Sequence, residues 1–177
     1  MDFQALESHL HAMVVHFPIA LLFISIGLEV ATLYKPWREK LQPAALVTLV
    51  LGTAAAAAAV ATGPDENYRG VSALGRIHEN WAQITLVWFG LLTLWRLYML
   101  YRQQPLDGRR LAAYLILGAV GLGMLGYTGY LGGTMVYEQA VGVRVGGRMV
   151  APPTLRRPRQ DRQSGQNQPA PQTRTSQ

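Results

Sequence analysis

Four long apolar blocks constrain this chain more strongly than any other feature of its sequence. They run approximately over residues 11–34, 42–62, 78–101 and 111–131, and each is long enough to cross roughly 30 Å of hydrocarbon. Within a bilayer every backbone polar group needs an internal partner, so segments of this kind cross as helices. The sequence therefore predicts an all-α fold, an integral membrane four-helix up-down bundle.

Composition supports a membrane protein. The chain has 177 residues, of which only 15% are charged, whereas a soluble domain usually carries about 25%. The first block does not resemble a cleavable signal, because its amino-terminal flank carries Asp2 and Glu7 and no basic residue. The chain has no cysteine, which excludes disulfides, thiolate metal sites and covalent haem attachment.

The predicted domains are a transmembrane domain over residues 8–143, a short cap or linker over 144–150, and a disordered basic tail over 151–177. We expect Gly132 and Gly133 to end the fourth helix and the Val-rich stretch after them to form a strand-like cap. The tail has too few large apolar residues to offset its ordering entropy. We interpret its positive charge as attraction to lipid headgroups or solvation, and not as nucleic-acid binding.

Basic residues are concentrated in the first and third connections between the blocks. The positive-inside rule therefore places these connections in the cytoplasm of a bacterium, with the protein in the inner membrane and both termini on the non-cytoplasmic side. The residues that carry this bias are Lys35, Arg38, Lys40, Arg102, Arg109 and Arg110.

Histidines mark the starts of the first and third predicted spans, which begin on the same side of the membrane. His11 and His16 open the first span and His78 opens the third. At the same depth, span two is an alanine run over residues 54–59, and span four contains Gly126 and Gly129. Two helices thus bring imidazoles while the other two bring little side-chain volume, which is the arrangement that a planar macrocycle needs.

The geometry of an up-down bundle is compatible with haem b. Diagonal helices lie about 13 Å apart, so imidazoles from spans one and three could ligate one haem iron between them. We favour His16 and His78 as the axial ligands because His16 is the deeper of the first two histidines. His11 is an alternative partner, or could bond a propionate or relay a proton. The competing interpretation is that the small residues serve helix packing and the histidines lie at the wet interface.

An acidic residue, Glu29, lies near the inner end of span one. Its expected partner is Arg96, or else Lys35 or Arg38, because an isolated charge inside a membrane is costly. A proton-relay role is the alternative.

The segment HAMVVHFPIAL at residues 11–21 resembles the opening of a bacterial membrane family catalogued only as a domain of unknown function, number twenty-two thirty-one. Glu29 and His78 fit that family's acidic and third-helix positions, and GGTMVY at residues 132–137 is similar to its closing motif. Many members have proline where this chain has Ala12. The resemblance implies a four-helix membrane protein similar in outline to b-type cytochromes and sometimes joined to c-type cytochrome modules.

The leading hypothesis is a non-catalytic, haem-binding subunit in electron transfer, with one haem in the outer half. Because the inner half has no histidine, the pathway would need a c-type cytochrome, a quinone or a larger respiratory complex as partner. The alternatives are a cofactor-free anchoring or assembly subunit, and a metal or proton transport element. No convincing nucleophile–base pair or phosphate loop indicates hydrolysis.

Overall fold

A computed structural model of the chain describes residues 11, 13–63, 73–140, 143–145 and 148–149. Four α-helices dominate them, and a short 3₁₀ turn, Lys35–Trp37, precedes the second. The predicted all-α bundle is confirmed, whereas the tail predicted over 151–177 lies outside the described residues. The helices are α1 (His16–Ala31), α2 (Arg38–Ala61), α3 (Ala73–Tyr101) and α4 (Gly108–Gln139).

The helices pack as a square in chain order. The main contacts join α1 to α2, α2 to α3, α3 to α4, and α4 to α1. Helices α1 and α3 are therefore diagonal partners, as an up-down topology predicts. Side chains from these two helices can meet only across the centre of the bundle.

Three helical segments, Lys35–Ala61, Ala73–Tyr101 and Gly108–Gln139, are long and apolar enough to cross a membrane. The remaining helix, α1, has 16 residues, which corresponds to a length of about 24 Å. It is shorter than the span predicted over residues 11–34, although the amide of Val15 still donates to the carbonyl of His11 over 3.1 Å. A helical turn thus precedes the regular part of α1.

The predicted end of the fourth helix was wrong. Helix α4 continues through Gly132 and Gly133 to Gln139, and the chain leaves it at Ala140, whose φ is 49°. A glycine weakens a helix by only about 1 kcal/mol, and hydrogen bonds within the helix remain the best partners for the backbone of an apolar segment. The Thr134 hydroxyl adds a bond to the carbonyl of Tyr130 at 3.0 Å.

Beyond α4, two short strands form an antiparallel hairpin. The strands are β1 (Arg144–Val145) and β2 (Arg148–Met149), with Arg144 opposite Met149. The strand-like element expected in this stretch is present. Its role as a cap over one end of the bundle stays a prediction.

The bundle divides into two halves that differ in packing. We call residues 22–34, 38–52, 89–101 and 108–121 the ion-pair half, and residues 11–21, 53–63, 73–88 and 122–140 the histidine half. Nine of the ten residues in the buried apolar cluster belong to the ion-pair half or to the α3–α4 connection beside it, and only Leu125 lies in the histidine half. The apolar core is therefore concentrated at one end and at the centre of the molecule.

Candidate functional site

His78 lies at the contact between α3 and α4. It lies in the second turn of α3, is half-buried, and its Nδ1 is 3.0 Å from the carbonyl oxygen of Thr128 on α4. A carbonyl can only accept a hydrogen bond, so Nδ1 must carry the proton. In the neutral ring the lone pair then lies on Nε2, the nitrogen farther from the backbone.

Gly132 provides the surface on which this imidazole packs. A Cβ atom added at Gly132 would lie 3.2 Å from Cε1 of His78 and 3.6 Å from its Nδ1. A larger residue would push the ring away from α4. This contact was not predicted, because Gly132 belongs to a motif that indicates the end of a helix, although only four residues, about one turn, separate it from Thr128.

A seam of threonines continues the contact between α3 and α4 below His78. The hydroxyls of Thr85 and Thr128 lie 3.3 Å apart. Each also bonds a carbonyl of its own helix, Thr85 to Trp81 at 2.7 Å and Thr128 to Met124 at 2.9 Å. Sequence reasoning missed both threonines, although Thr85 follows His78 by seven residues and so shares its face of the helix.

The two histidines at the start of α1 are placed differently. His11 is half-buried, whereas His16 is exposed. His16 lies roughly 160° around the helix from the buried Pro18, and therefore on the face that points away from the bundle. The structure does not bring His16 between the helices, contrary to our expectation, because the buried face of α1 follows Pro18, Leu22, Ser25 and Glu29.

Gly126 and Gly129 lie outside the contact between α3 and α4. Both are exposed, and a Cβ atom added at either would meet nothing within 4 Å. The buried positions of this part of α4 are Leu125, Thr128 and Leu131. The structure thus brings His78 against Thr128 and Gly132, and does not place the two predicted glycines beside it.

In the other half, Glu29 and Arg96 form the predicted ion pair. Nη2 of Arg96 lies 3.2 Å from Oε1 of Glu29, and both residues are buried. The pair joins α1 to α3 across the centre of the bundle. Neither carboxylate oxygen makes a hydrogen bond of good geometry within the described part of the chain, and the Nε of Arg96 also has no acceptor there.

Two further buried residues in this half, Ser25 and Tyr114, contact neighbouring helices. The hydroxyl of Ser25 donates to the carbonyl of Ala45 on α2 at 2.8 Å. Tyr114 of α4 is buried nearby, with its ring 6.0 Å from that of Trp95. The ion pair thus joins α1 to α3, the Ser25 hydrogen bond joins α1 to α2, and the ring contact joins α3 to α4.

Over residues 11, 13–63, 73–140, 143–145 and 148–149, no three His, Asp or Glu side chains come together as a metal-binding group. A surface groove in the histidine half lies along α3 beside Arg76 and Glu79, without His78 among its lining residues, and another lies in the ion-pair half beside Lys35 and Arg38. The histidine half therefore offers single imidazoles and no chelating cluster among the residues described.

Comparison with known proteins gives one match. The family model described as "Predicted membrane protein (DUF2231)" matches residues 7–145. No curated protein and no solved structure matches the chain. The matched range contains all four helices, the half-buried His11 and His78, and the ion pair of Glu29 and Arg96. The chain belongs to this family of predicted membrane proteins, a domain of unknown function.

Proposed function

We propose that this membrane protein is a haem-binding subunit in electron transfer, with one haem b in its histidine half. The observation that carries the proposal is the environment of His78, whose Nδ1 donates to the carbonyl of Thr128 and whose ring packs on Gly132. An imidazole held in this way keeps its orientation, and with the proton on Nδ1 its lone pair lies on Nε2.

The residues around His78 fit the needs of an axial ligand. Histidines that bind a metal usually donate their second ring N–H to a carbonyl or a carboxylate, which fixes the tautomer and raises the basicity of the binding nitrogen. When bound, haem supplies reversible one-electron chemistry at its iron. The chain's own contribution is to hold the imidazole of His78 in position through Thr128 and Gly132.

Burial favours His11 over His16 as the second histidine. His11 is half-buried, and its carbonyl accepts a hydrogen bond from the amide of Val15 in the turn that precedes α1. His16 is exposed. We therefore propose His11 and His78 as the axial pair, in place of the pair His16 and His78 expected from the sequence.

The proposal includes an orientation and a partner. The basic residues at Lys35, Lys40 and Arg109 favour placing that end in the bacterial cytoplasm, with the histidine half on the outer side of the inner membrane. No histidine of the chain follows His78, so a c-type cytochrome, a quinone or a larger respiratory complex would have to exchange electrons with the outer half. Because the chain has no cysteine, single cysteines introduced at Lys40 and at Gln139 would show which end a membrane-impermeant thiol reagent reaches.

The decisive experiment is an oxidised and dithionite-reduced visible spectrum of protein purified after expression with haem supply. A Soret band and a reduced α band are expected in the unmodified protein and in His16→Ala, and their loss is expected in His78→Ala and His11→Ala. A spectrum without these bands in the unmodified protein refutes the proposal.

A visible spectrum without haem bands would favour the alternative function, an anchoring or assembly subunit. Gly129 and Gly133 lie four residues apart on α4, and a Cβ at either meets nothing within 4 Å. Small residues at this spacing allow close approach of a second helix in a membrane. Co-purification of a partner that is lost in Gly129→Leu would support that function.

A further inference from the structure

A surface groove lies at the ion-pair end of the bundle, between the α1–α2 connection and the first turns of α4. Its wall on one side is formed by Leu33 and Lys35 of the connection and by Arg38, the first residue of α2. Its wall on the other side is formed by α4, with Leu115 and Ile116 among the lining residues. The groove is separate from the histidines, which lie in the other half of the molecule.

The groove carries a net positive charge at the end that lies beyond the apolar part of the helices. Lys35 and Arg38 line it together with one carboxylate, Asp107. The Nε of Arg38 donates to the carbonyl of Thr32 over 3.4 Å, which holds the base of the guanidinium against the connection. Two cations against one carboxylate leave room for one further negative charge.

The rest of the groove is apolar and belongs to a helix that is long enough to span a membrane. Ile116 is 65% exposed and Leu33 is 58% exposed, and Leu115 packs partly against the buried core. Helix α4 is one of the candidate spans. The groove therefore has a cationic end and an apolar part that faces the lipid. These match the two parts of a phospholipid, a charged headgroup and an acyl chain.

We propose that this groove is a binding site for an anionic phospholipid. The phosphate is held between Lys35 and Arg38, and an acyl chain lies along Leu115 and Ile116. Arginine suits this role because its planar guanidinium can bind two phosphate oxygens at once, and basic pockets between membrane helices are known to select anionic headgroups. The proposal rests on the membrane location of the chain and is independent of haem.

The test compares lipids that remain bound to the purified protein, measured by native mass spectrometry after reconstitution with equal amounts of phosphatidylglycerol and phosphatidylcholine. The unmodified protein should retain phosphatidylglycerol preferentially. The double variant Lys35→Gln/Arg38→Gln should lower this preference about 30-fold, since each basic residue near the membrane surface contributes about fivefold. The matched control is Lys40→Gln/Arg102→Gln, which removes the same charge from exposed residues at the same end of the bundle.

A second pair of variants tests the apolar part without changing the charge. Ala112 lines the groove, whereas its exposed neighbour Ala113 does not. Ala112→Trp should lower the amount of bound phosphatidylglycerol about tenfold or more. Ala113→Trp should leave this amount unchanged. Equal lipid preference in the two glutamine double variants would refute the proposal, as would equal lipid retention in the two tryptophan variants. Circular dichroism and size-exclusion profiles confirm that each variant folds.

Discussion

The two halves of the bundle are built from the same four helices but differ in their buried side chains and polar contacts. The ion-pair half contains nearly all of the largest fully buried side chains, among them Tyr114, Phe89 and Leu49, and it connects α1 to α3 through Glu29 and Arg96. The histidine half has fewer large buried side chains, among them Leu125 and Leu131, and a polar contact joins α3 to α4 there at His78 and Thr128.

This difference in packing predicts different roles for the two halves. A closely packed core resists change, because removing even one methylene loses contacts that nothing replaces. A region with less buried side-chain volume can accept a ligand or a partner at lower cost. The ion-pair half contains most of the buried contacts that hold the helices together, and the haem proposed above would bind in the histidine half.

The largest expected effect comes from breaking the ion pair. Arg96→Met leaves Glu29 as an uncompensated buried charge, so we expect a loss of about 3–5 kcal/mol in the free energy of unfolding. The double variant Glu29→Met/Arg96→Met should recover most of this loss. Unfolding in mixed micelles measures both, with the exposed Arg102→Met as control. A single variant that is no less stable than the double variant would contradict the structural role of the pair.

A smaller effect is expected from shortening core leucines, and it should differ between the halves. Leu49 is fully buried in the ion-pair half, whereas Leu86 is half-buried in the histidine half. Leu49→Ala should reduce the free energy of unfolding by about 3 kcal/mol, within the usual range for a buried leucine, and Leu86→Ala by about 1 kcal/mol. Equal losses would show that the two halves are packed alike.

At the histidine site, Gly132→Ala and Gly133→Ala form a matched pair. The new Cβ at Gly132 would lie 3.2 Å from the ring of His78, whereas at Gly133 it would meet nothing within 4 Å. We expect Gly132→Ala to be less stable than Gly133→Ala by about 1 kcal/mol, since alanine favours the helix at both positions and only one clashes. Nitrogen NMR of the His78 imidazole should change only in Gly132→Ala. The same spectrum in both variants would remove Gly132 from the site.

The smallest effect concerns the hydrogen bond that links α2 to α3 where the halves meet. The hydroxyls of Thr53 and Thr93 lie 2.8 Å apart. A double-mutant cycle of Thr53→Val and Thr93→Val should give a coupling of about 0.6 kcal/mol, the average for hydrogen bonds between membrane helices. Thr48→Val is the control, because the Thr48 hydroxyl bonds only carbonyls of its own helix. A coupling near zero would mean that this hydrogen bond does not stabilise the contact between α2 and α3.

Sequence reasoning predicted the bundle and the pairing of Glu29 with Arg96. Both follow from the free-energy cost of leaving polar groups without partners inside a membrane. It did not find Thr128 or Gly132, which are ordinary residues until α4 places them against His78. It favoured His16 by depth, whereas burial depends on the angle around the helix as well. The predicted stop at Gly132 was wrong because local propensity is weaker than the hydrogen bonds of a long apolar helix.

The amino-acid sequence was sufficient to predict the class of fold, the four helices of the described residues, and that His11, His16 and His78 lie at one end of the bundle. These follow from the length and order of apolar segments, since each segment must satisfy its own backbone in a membrane. Only the tertiary structure decided which faces meet. It turned His16 outward, placed His78 on Thr128 and Gly132, and left an open groove beside Lys35 and Arg38. Helix rotation and packing fix such contacts, and they depend on side-chain volumes from several helices at once.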